Sequence, residues 1–361
     1  MDLKEAFPTQ KPREKSGSVA SGRFGFQKDV SLSLLLDYEE SNRSDYVFVF
    51  DFHEDLVIMD AEAAPDEISF YQIKGKKTGT WSLKSLSKTE LDSENNPLLS
   101  TLGKLYDCRQ KFKEKTKQLS FLSNARYKIG LEDKSSSEAK DIISGLELCK
   151  KDKDALKANL KQQLGISEDP EVDDFLQLQV LDISLTDSAR HLRGILGDFF
   201  KRKFDITPDV DLIYQHFLNE ITKRSNFQKD IQSYEDLLQN KAIPKSAFTH
   251  WINHIVNQEK SLKDKWPEIL SQLNSEQVHF TEVKKLKEGW TTFVLMSKDP
   301  NNQYINQTTK IVQQTGLPLV KDKQLTLHEQ MRIIYQAIEE KISSAVNSEA
   351  TTKAIILNQL Y

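Results

Sequence analysis

The chain has 361 residues, of which 38% are hydrophobic and 29% charged, and its formal net charge at pH 7 is −4. No apolar run approaches the roughly 20 residues of a membrane-spanning helix, and no signal-like hydrophobic segment lies near the N-terminus, so we expect a cytoplasmic protein without a membrane partner. The acidic balance excludes nucleic-acid binding through overall charge, so such a role must rest on local basic clusters.

The N-terminal part predicts an α/β domain with a mixed central sheet flanked by helices. Residues 1–20 are polar and carry proline, serine and glycine, which indicates a flexible arm. A buried helix is expected over 24–40, and a further helix should begin with Asn96 as N-cap and Pro97 in its first turn. Apolar runs rich in β-formers predict four strands, over residues 45–50, 55–59, 68–74 and 119–129.

The C-terminal part predicts mainly α-helices, and on this basis we divide the chain into four segments. After the arm, residues 21–135 form the predicted core, with a polar hinge at 131–141. Residues 136–240 form a predicted helical extension, with two helices within 135–165 and one within 185–204. Residues 241–361 form a predicted helical region for partner binding or self-association. Its last strong helix begins with a capping box at Thr326 and Glu329, and its apolar face runs from Met331 to Ala345.

Two common kinds of site have little support. The stretch KGKKTGT, residues 74–80, lacks the order of a phosphate-binding loop. His250 and His254 are four residues apart and could share a helix face as zinc ligands, but Trp251 and Ile255 between and beside them favour an ordinary, partly buried helix. A Ser-His-Asp triad stays open, although no G-x-S-x-G motif supports one.

The strand ISFYQIK, residues 68–74, ends in two polar residues and suggests a different site. Alternate residues of a strand share a face, so Gln72 and Lys74 continue the row of Ile68 and Phe70. If the preceding strand pairs with it as a hairpin, Asp55 can approach both polar side chains. The alternative is an edge strand whose terminal Gln72 and Lys74 are simply solvated, with Asp55 capping a turn.

The three residues together fit metal-dependent phosphodiester hydrolysis. The carboxylate of Asp55, the side-chain oxygen of Gln72 and the backbone carbonyl of Ile73 can hold Mg²⁺, which prefers oxygen ligands. The metal would activate water and polarise the phosphoryl group, and Lys74 would orient the water or stabilise the developing charge.

Five segments in fixed order resemble a known family: GSVASGRFGFQKDVSLSLLLDYEE, HEDLVIM, FYQIKGKKTGTWSLKSL, LLSTLGKLYDCRQKF and LSFLSNARYKI. The series resembles the PD-(D/E)xK-type endonuclease domain of CBASS effectors, in which the nuclease is joined to a SAVED domain, and of related anti-phage nucleases such as Lamassu. The resemblance implies a restriction-endonuclease-like fold for the N-terminal domain and Mg²⁺ as cofactor, for which Mn²⁺ can substitute. It makes Asp55 and Gln72 metal ligands and Lys74 the catalytic lysine, with Gln27 and Glu54 as accessory residues.

The C-terminal region departs from this resemblance, because residues 245–361 are too few and too helical for a SAVED domain. A Lamassu-like nuclease subunit would instead have an SMC-like ATPase and a small accessory subunit as partners, and would self-associate on activation. We therefore expect an anti-phage or anti-plasmid effector that cleaves double-stranded DNA with little sequence preference. The alternatives are a catalytically silent DNA-binding adaptor and a CBASS-type effector gated by a cyclic oligonucleotide.

Basic residues near the predicted site are candidates for contacts with DNA phosphates. Lys76, Lys77 and Lys84 follow the catalytic strand, and we expect them to bind the DNA backbone. Two further basic clusters lie at 109–118 and 199–204. For 109–118 we favour an ordinary solvated helix face.

Overall fold

The computed structural model describes residues 2–10, 21–297, 302–321, 323–342 and 349–361. The chain divides into two compact units. The first comprises Met1–Asp205 and Ile213–Trp251, and the second comprises Ile206–Leu212 and Ile252–Tyr361.

A seven-stranded mixed sheet forms the centre of the first unit. Its strands have the order β7-β8-β6-β3-β2-β1-β9. Strands β1, β2 and β3 pair antiparallel, whereas β3 pairs with β6, and β6 with β8, in parallel. The strands are β1 (Val47–Phe52), β2 (Glu54–Met59), β3 (Ile68–Ile73), β6 (Thr116–Ser123), β7 (Ile142–Ser144), β8 (Leu176–Val180) and β9 (Ala242–Pro244), and a separate two-stranded ribbon consists of β4 (Glu90–Leu91) and β5 (Pro97–Leu98).

Helices flank this sheet and then dominate the rest of the chain, which confirms the predicted fold class. In chain order they are α1 (Leu3–Thr9), α2 (Ser21–Glu40), α3 (Leu83–Leu86), α4 (Thr101–Phe112), α5 (Lys150–Leu164), α6 (Ser188–Phe204), α7 (Val210–Ser225), α8 (Tyr234–Asn240), α9 (Lys245–Ser275), α10 (Phe280–Ser297), α11 (Gln303–Ile311), α12 (Leu317–Val320), α13 (Leu327–Ile338) and α14 (Glu349–Leu360). Among the described residues, no helix is long and apolar enough to cross a membrane.

Burial on both faces explains why the central strands were predictable. All six residues of β3 are buried, and β1 has one partly exposed residue, Asp51. A strand covered by helices on both sides reads as a continuous apolar run. Strands β1, β2 and β3 therefore lie close to the predicted positions.

The prediction of a flexible N-terminal arm is wrong for residues 3–9, which form helix α1. Its N-cap, Asp2, accepts a hydrogen bond from the backbone N–H of Lys4, and Leu3 and Phe7 are fully buried. The ring of Phe7 lies 5.3 Å from that of Phe52 and 4.7 Å from that of His53, measured between centroids. Two apolar residues four positions apart suffice to dock this short helix on the core. Residues 11–20 of the predicted arm lie outside the described residues.

The predicted end of the core at residue 135 is also wrong, because β7, β8 and β9 complete the same sheet. Segment 136–240 is therefore not a purely helical extension, and the first unit continues to Trp251 rather than ending before residue 241. Two of these strands have only three residues, too few for a periodic pattern to appear.

Three element predictions need local corrections. Segment 135–165 contains one α-helix, α5, because its first part forms β7 and short 3₁₀ turns. Helix α4 begins after Ser100, whose hydroxyl accepts from the N–H of Gly103, whereas Pro97 belongs to the ribbon. The strand predicted over 119–129 ends at Ser123, where β6 ends.

The second unit has its own helical core. Its fully buried residues include Ile269 and Met331. The capping box is confirmed, since the Thr326 hydroxyl accepts from the N–H of Glu329 and the Glu329 carboxylate accepts from the N–H of Thr326. Helix α13 ends at Ile338, and Ala345 lies outside the described residues.

Candidate active site at the ends of strands β2 and β3

The register between β2 and β3 brings the predicted residues together. Leu56 pairs with Tyr71 and Val57 with Phe70. Continuing this register by one step places Asp55 beside Gln72, as the hairpin prediction required. The turn before β2 is tight, with positive φ angles of 49° at Asp51 and 70° at His53.

Asp55 is held by two donors from β3. The side-chain amide of Gln72 donates to Oδ2 of Asp55, and the backbone N–H of Ile73 donates to the same oxygen over 2.7 Å. Among the described residues, Oδ1 of Asp55 accepts no hydrogen bond from protein. The carboxylate is thus fixed in orientation while one oxygen stays available for a ligand.

The surroundings of Asp55 raise its pKa to about 6. Burial is the main cause, because it disfavours the charged form. Hydrogen bonds from Ile73 and Gln72 act against this shift, the nearby charge of Asp51 adds to it, and that of Lys74 opposes it. A carboxylate with this pKa is mostly ionised at neutral pH but gains a proton in mild acid.

Lys74 follows β3 directly and reaches toward helix α4. Its ammonium donates to Oγ1 of Thr101 over 2.9 Å. Desolvation lowers the pKa of Lys74, the charge of Asp55 raises it, and that of Lys104 lowers it further. The pKa lies below the usual value of lysine, and Thr101 fixes the direction of the side chain.

The two accessory residues occupy different surroundings. Gln27 of α2 donates from Nε2 to the carbonyl oxygen of Ile73 over 3.1 Å, so it lies at the edge of the site as predicted. Glu54 is buried, and its carboxylate lies 3.8 Å from the thiol of Cys108 in α4. Neighbouring strand residues point to opposite faces, which separates the contacts of Glu54 from those of Asp55.

Asp51 and Lys28 belong to this region, although the sequence pattern did not single them out. A small cavity of ≈ 20 Å³ is lined by Asp55 and Gln27 together with Lys28, Ser31 and Asp51. Burial lowers the pKa of Lys28, and the charge of Asp51 opposes this shift. The segment DFHED could have revealed Asp51, because it places acidic residues on both sides of one tight turn.

The oxygen atoms near Asp55 fit a hard cation. Oδ1 of Asp55, the side-chain oxygen of Gln72 and the carbonyl oxygen of Ile73 are ligands of the kind that Mg²⁺ prefers. No cluster of three or more His, Cys, Asp or Glu residues suited to a metal occurs in the part of the chain that the structure describes. Three oxygen ligands from the protein leave coordination positions for water, several of which Mg²⁺ commonly keeps.

The three lysines predicted to contact DNA differ in their surroundings. Lys76 donates to the carbonyl of Thr80 over 2.5 Å, and its ammonium lies 4.5 Å from the centroid of the Trp81 ring. By contrast, Lys77 and Lys84 are exposed. Of the predicted DNA contacts, the structure leaves these two side chains most accessible.

Ion pairs neutralise the two remote basic clusters. In 109–118, the pairs are Arg109–Glu171, Lys111–Asp107, Lys115–Asp66 and Lys117–Glu67. In 199–204, they are Lys201–Asp205, Arg202–Glu40 and Lys203–Glu39. Most of the charge that made these clusters candidates for DNA contact is therefore already compensated.

The first unit is thus an α/β domain with a mixed central sheet, at one end of which Asp55 lies beside Gln72 and Lys74. Comparison with known proteins identifies its class: residues 15–225 match the family described as "Cap4, dsDNA endonuclease domain". This match covers more than half of the chain, so the chain belongs to that family of CBASS-associated nucleases. No curated protein matches the chain.

Proposed function

We propose that this protein is a Mg²⁺-dependent endonuclease that cleaves double-stranded DNA with little sequence preference, as an effector of bacterial anti-phage or anti-plasmid defence. The observation that carries this proposal is the carboxylate of Asp55, bound by Gln72 and Ile73 beside Lys74. Membership of a double-stranded DNA endonuclease family supports the substrate.

Asp55, Gln72 and the carbonyl of Ile73 would hold the metal, and Mn²⁺ would replace Mg²⁺. When bound, the metal supplies Lewis-acid stabilisation of the phosphoryl group and lowers the pKa of a water ligand. The PD-(D/E)xK superfamily is named for an Asp or Glu at the position that Gln72 occupies here, so this site has one negative charge fewer. This favours a single, weakly held metal ion.

The other residues position groups for the reaction. Gln27 donates to the Ile73 carbonyl and so fixes its direction. Lys74, oriented by Thr101, presents its ammonium to a phosphate oxygen or to the attacking water. A positive charge placed in advance stabilises the negative charge that grows in the transition state.

We propose that the helical second unit regulates the nuclease. A nuclease without strong sequence preference must stay inactive until infection, and we propose that partner proteins or self-association release it. In a Lamassu-like assembly the partners would be an SMC-like ATPase and a small accessory subunit. A second candidate is gating by a cyclic oligonucleotide, which the CBASS association of the family favours.

Plasmid cleavage tests the proposal. Wild-type protein, alone and with the products of neighbouring genes or with cyclic oligonucleotides, should linearise plasmid only when Mg²⁺ or Mn²⁺ is present. Lys74→Ala should reduce the rate by roughly 100-fold or more, because it removes the charge that stabilises the transition state. A folded Lys74→Ala protein that still confers defence would favour the silent adaptor instead.

A further inference from the structure

A polar groove that includes Lys84, one of the lysines expected to bind DNA, lies in the first unit. It has a volume of ≈ 410 Å³ and is lined by residues of α3, β5 and α5, and by residues adjacent to them. We call it the lysine groove; its lining includes Lys84, Lys88, Leu98, Leu99, Asn159 and Gln162. Its size is within the range of ligand sites in proteins.

The charge of the lysine groove has one sign. Its lining contains two lysines and no acidic residue. Lys84 and Lys88 are exposed, and among the described residues neither forms a hydrogen bond or an ion pair through its side chain. Lysines without partners in a net acidic chain indicate a surface for an anionic ligand.

Hydrogen bonds connect the elements that form the wall of the lysine groove. The side-chain oxygen of Gln163 accepts from the N–H of Ser100 over 3.0 Å, and its amide donates to the carbonyl of Ser87 over 2.7 Å. Asn159 also donates to Oγ of Ser87, over 3.3 Å. These contacts tie α5 to the segment that carries Lys88 and to the start of α4.

The lysine groove begins next to the candidate active site. Leu99 lines it, and Thr101, two residues further along, accepts the hydrogen bond from Lys74. Ser100, which lies between these two residues, donates its backbone N–H to Gln163 in the lining of the groove.

We propose that the lysine groove binds the sugar-phosphate backbone of duplex DNA next to the candidate active site. Lys84 and Lys88 bind phosphates, Gln162 donates a further hydrogen bond, and Leu98 packs on a sugar face. Contacts with phosphates carry no sequence information, which agrees with cleavage that has little sequence preference. The choice of DNA as ligand rests on the proposed function, whereas the binding experiment below does not require cleavage.

Binding of a short fluorescein-labelled duplex by the full-length protein in EDTA, measured by fluorescence anisotropy over a salt series, tests the proposal. The Lys84→Ala/Lys88→Ala variant should bind about tenfold or more weakly at about 0.1 M salt. The slope of log K against log salt should fall by about 2, since each lost phosphate contact removes about 0.9.

The matched control is Lys115→Ala/Lys117→Ala, which removes the same charge from two lysines that are paired with Asp66 and Glu67. It should leave both the affinity and the slope nearly unchanged. Gln162→Glu adds a negative charge to the groove from α5 without removing a lysine, and it should also weaken binding. Circular dichroism and thermal unfolding should show that all variants are folded.

The proposal is overturned if the groove variant binds like wild type, or loses no more affinity than the control. The proposed function fails by a different result, namely the absence of Mg²⁺-dependent cleavage by wild-type protein under any activating condition. Because anisotropy in EDTA requires no catalysis, the two failures can be told apart.

Discussion

Two carboxylates, one in each unit, have pKa values that are shifted in opposite directions, although burial acts on both in the same direction. Burial raises the pKa of Asp55 to about 6, and its hydrogen bonds from Ile73 and Gln72 do not reverse the shift. Burial acts in the same direction on Glu282, but His328 donates to Glu282 over 2.9 Å and, with the charges of His328 and Lys353, lowers its pKa overall. The charge of Glu282 is compensated by its partners, whereas the partners of Asp55 compensate only part of the cost of its burial.

This difference distinguishes a carboxylate with a structural role from one with a functional role. An ionised group that is buried with little compensation reduces stability, and such groups occur preferentially at functional sites. Asp55 also keeps one oxygen without a protein donor among the described residues. Both properties are expected of a group that binds a cation.

Replacing each carboxylate by its amide should separate the two roles most strongly. Asp55→Asn should reduce Mg²⁺-dependent plasmid cleavage on the order of 1,000-fold, because the metal loses its charged ligand. Its thermal midpoint at pH 7.5 should equal or exceed that of wild type, because a buried charge is removed.

Glu282→Gln is the control for that comparison. It should leave the cleavage rate within about twofold of wild type, and it should reduce the free energy of unfolding by about 0.5–1 kcal/mol through the weakened contact with His328. If Asp55→Asn cleaves like wild type, or if both variants lose cleavage equally, the distinction between the two carboxylates fails.

The pH dependence of cleavage should follow Asp55. The metal binds the ionised carboxylate, so at subsaturating Mg²⁺ the rate should fall about tenfold per pH unit below about 6. Saturating Mg²⁺ should move this limb to lower pH, because the metal competes with the proton. Initial rates between about pH 4.5 and 8 measure both effects.

Titration of Asp55 should affect the stability of the protein in the opposite direction to its effect on the cleavage rate. The pKa of Asp55 is higher in the folded state than its ordinary value of 3.8. The stability gained from protonated Asp55 is therefore full below that value and is lost as the pH rises through about 6. A thermal midpoint that tracks the rate below pH 6 would mean that unfolding, and not titration of the site, causes the loss of cleavage.

Gln72→Glu should produce a smaller change. A second carboxylate strengthens cation binding, so the half-saturating Mg²⁺ concentration at pH 8 should fall several-fold. The added charge and the loss of the amide donor both raise the pKa of Asp55, so the acidic limb should move to higher pH. Gln72→Met has similar length without the oxygen, and should increase the Mg²⁺ requirement.

Much of the site could be predicted because it depends on strand periodicity. The alternation of residues in ISFYQIK places Gln72 and Lys74 on one row, and the continuous apolar character of β1 and β3 identifies them as central strands. Pairing of β2 with β3 then brings Asp55 to Gln72. The local sequence pattern was therefore sufficient to predict that Asp55 lies beside Gln72.

The remaining features depend on contacts between distant parts of the chain. Lys115 and Lys117 are neutralised by Asp66 and Glu67, about fifty residues earlier in sequence, and no local pattern predicts this pairing. The lysine groove likewise forms only when α5 packs beside the segment around Ser87. Strands β7 and β9 are too short to be recognised without their neighbours in the sheet.

Direct measurement of metal binding tests the central claim that Asp55 holds the catalytic cation. Mn²⁺ binding to the full-length protein at pH 7.5, followed by electron paramagnetic resonance or calorimetry, should reveal one site in wild type and a much weaker one in Asp55→Asn, with Glu282→Gln behaving as wild type. Equal Mn²⁺ binding by wild type and Asp55→Asn, together with cleavage that persists in EDTA, would contradict the account.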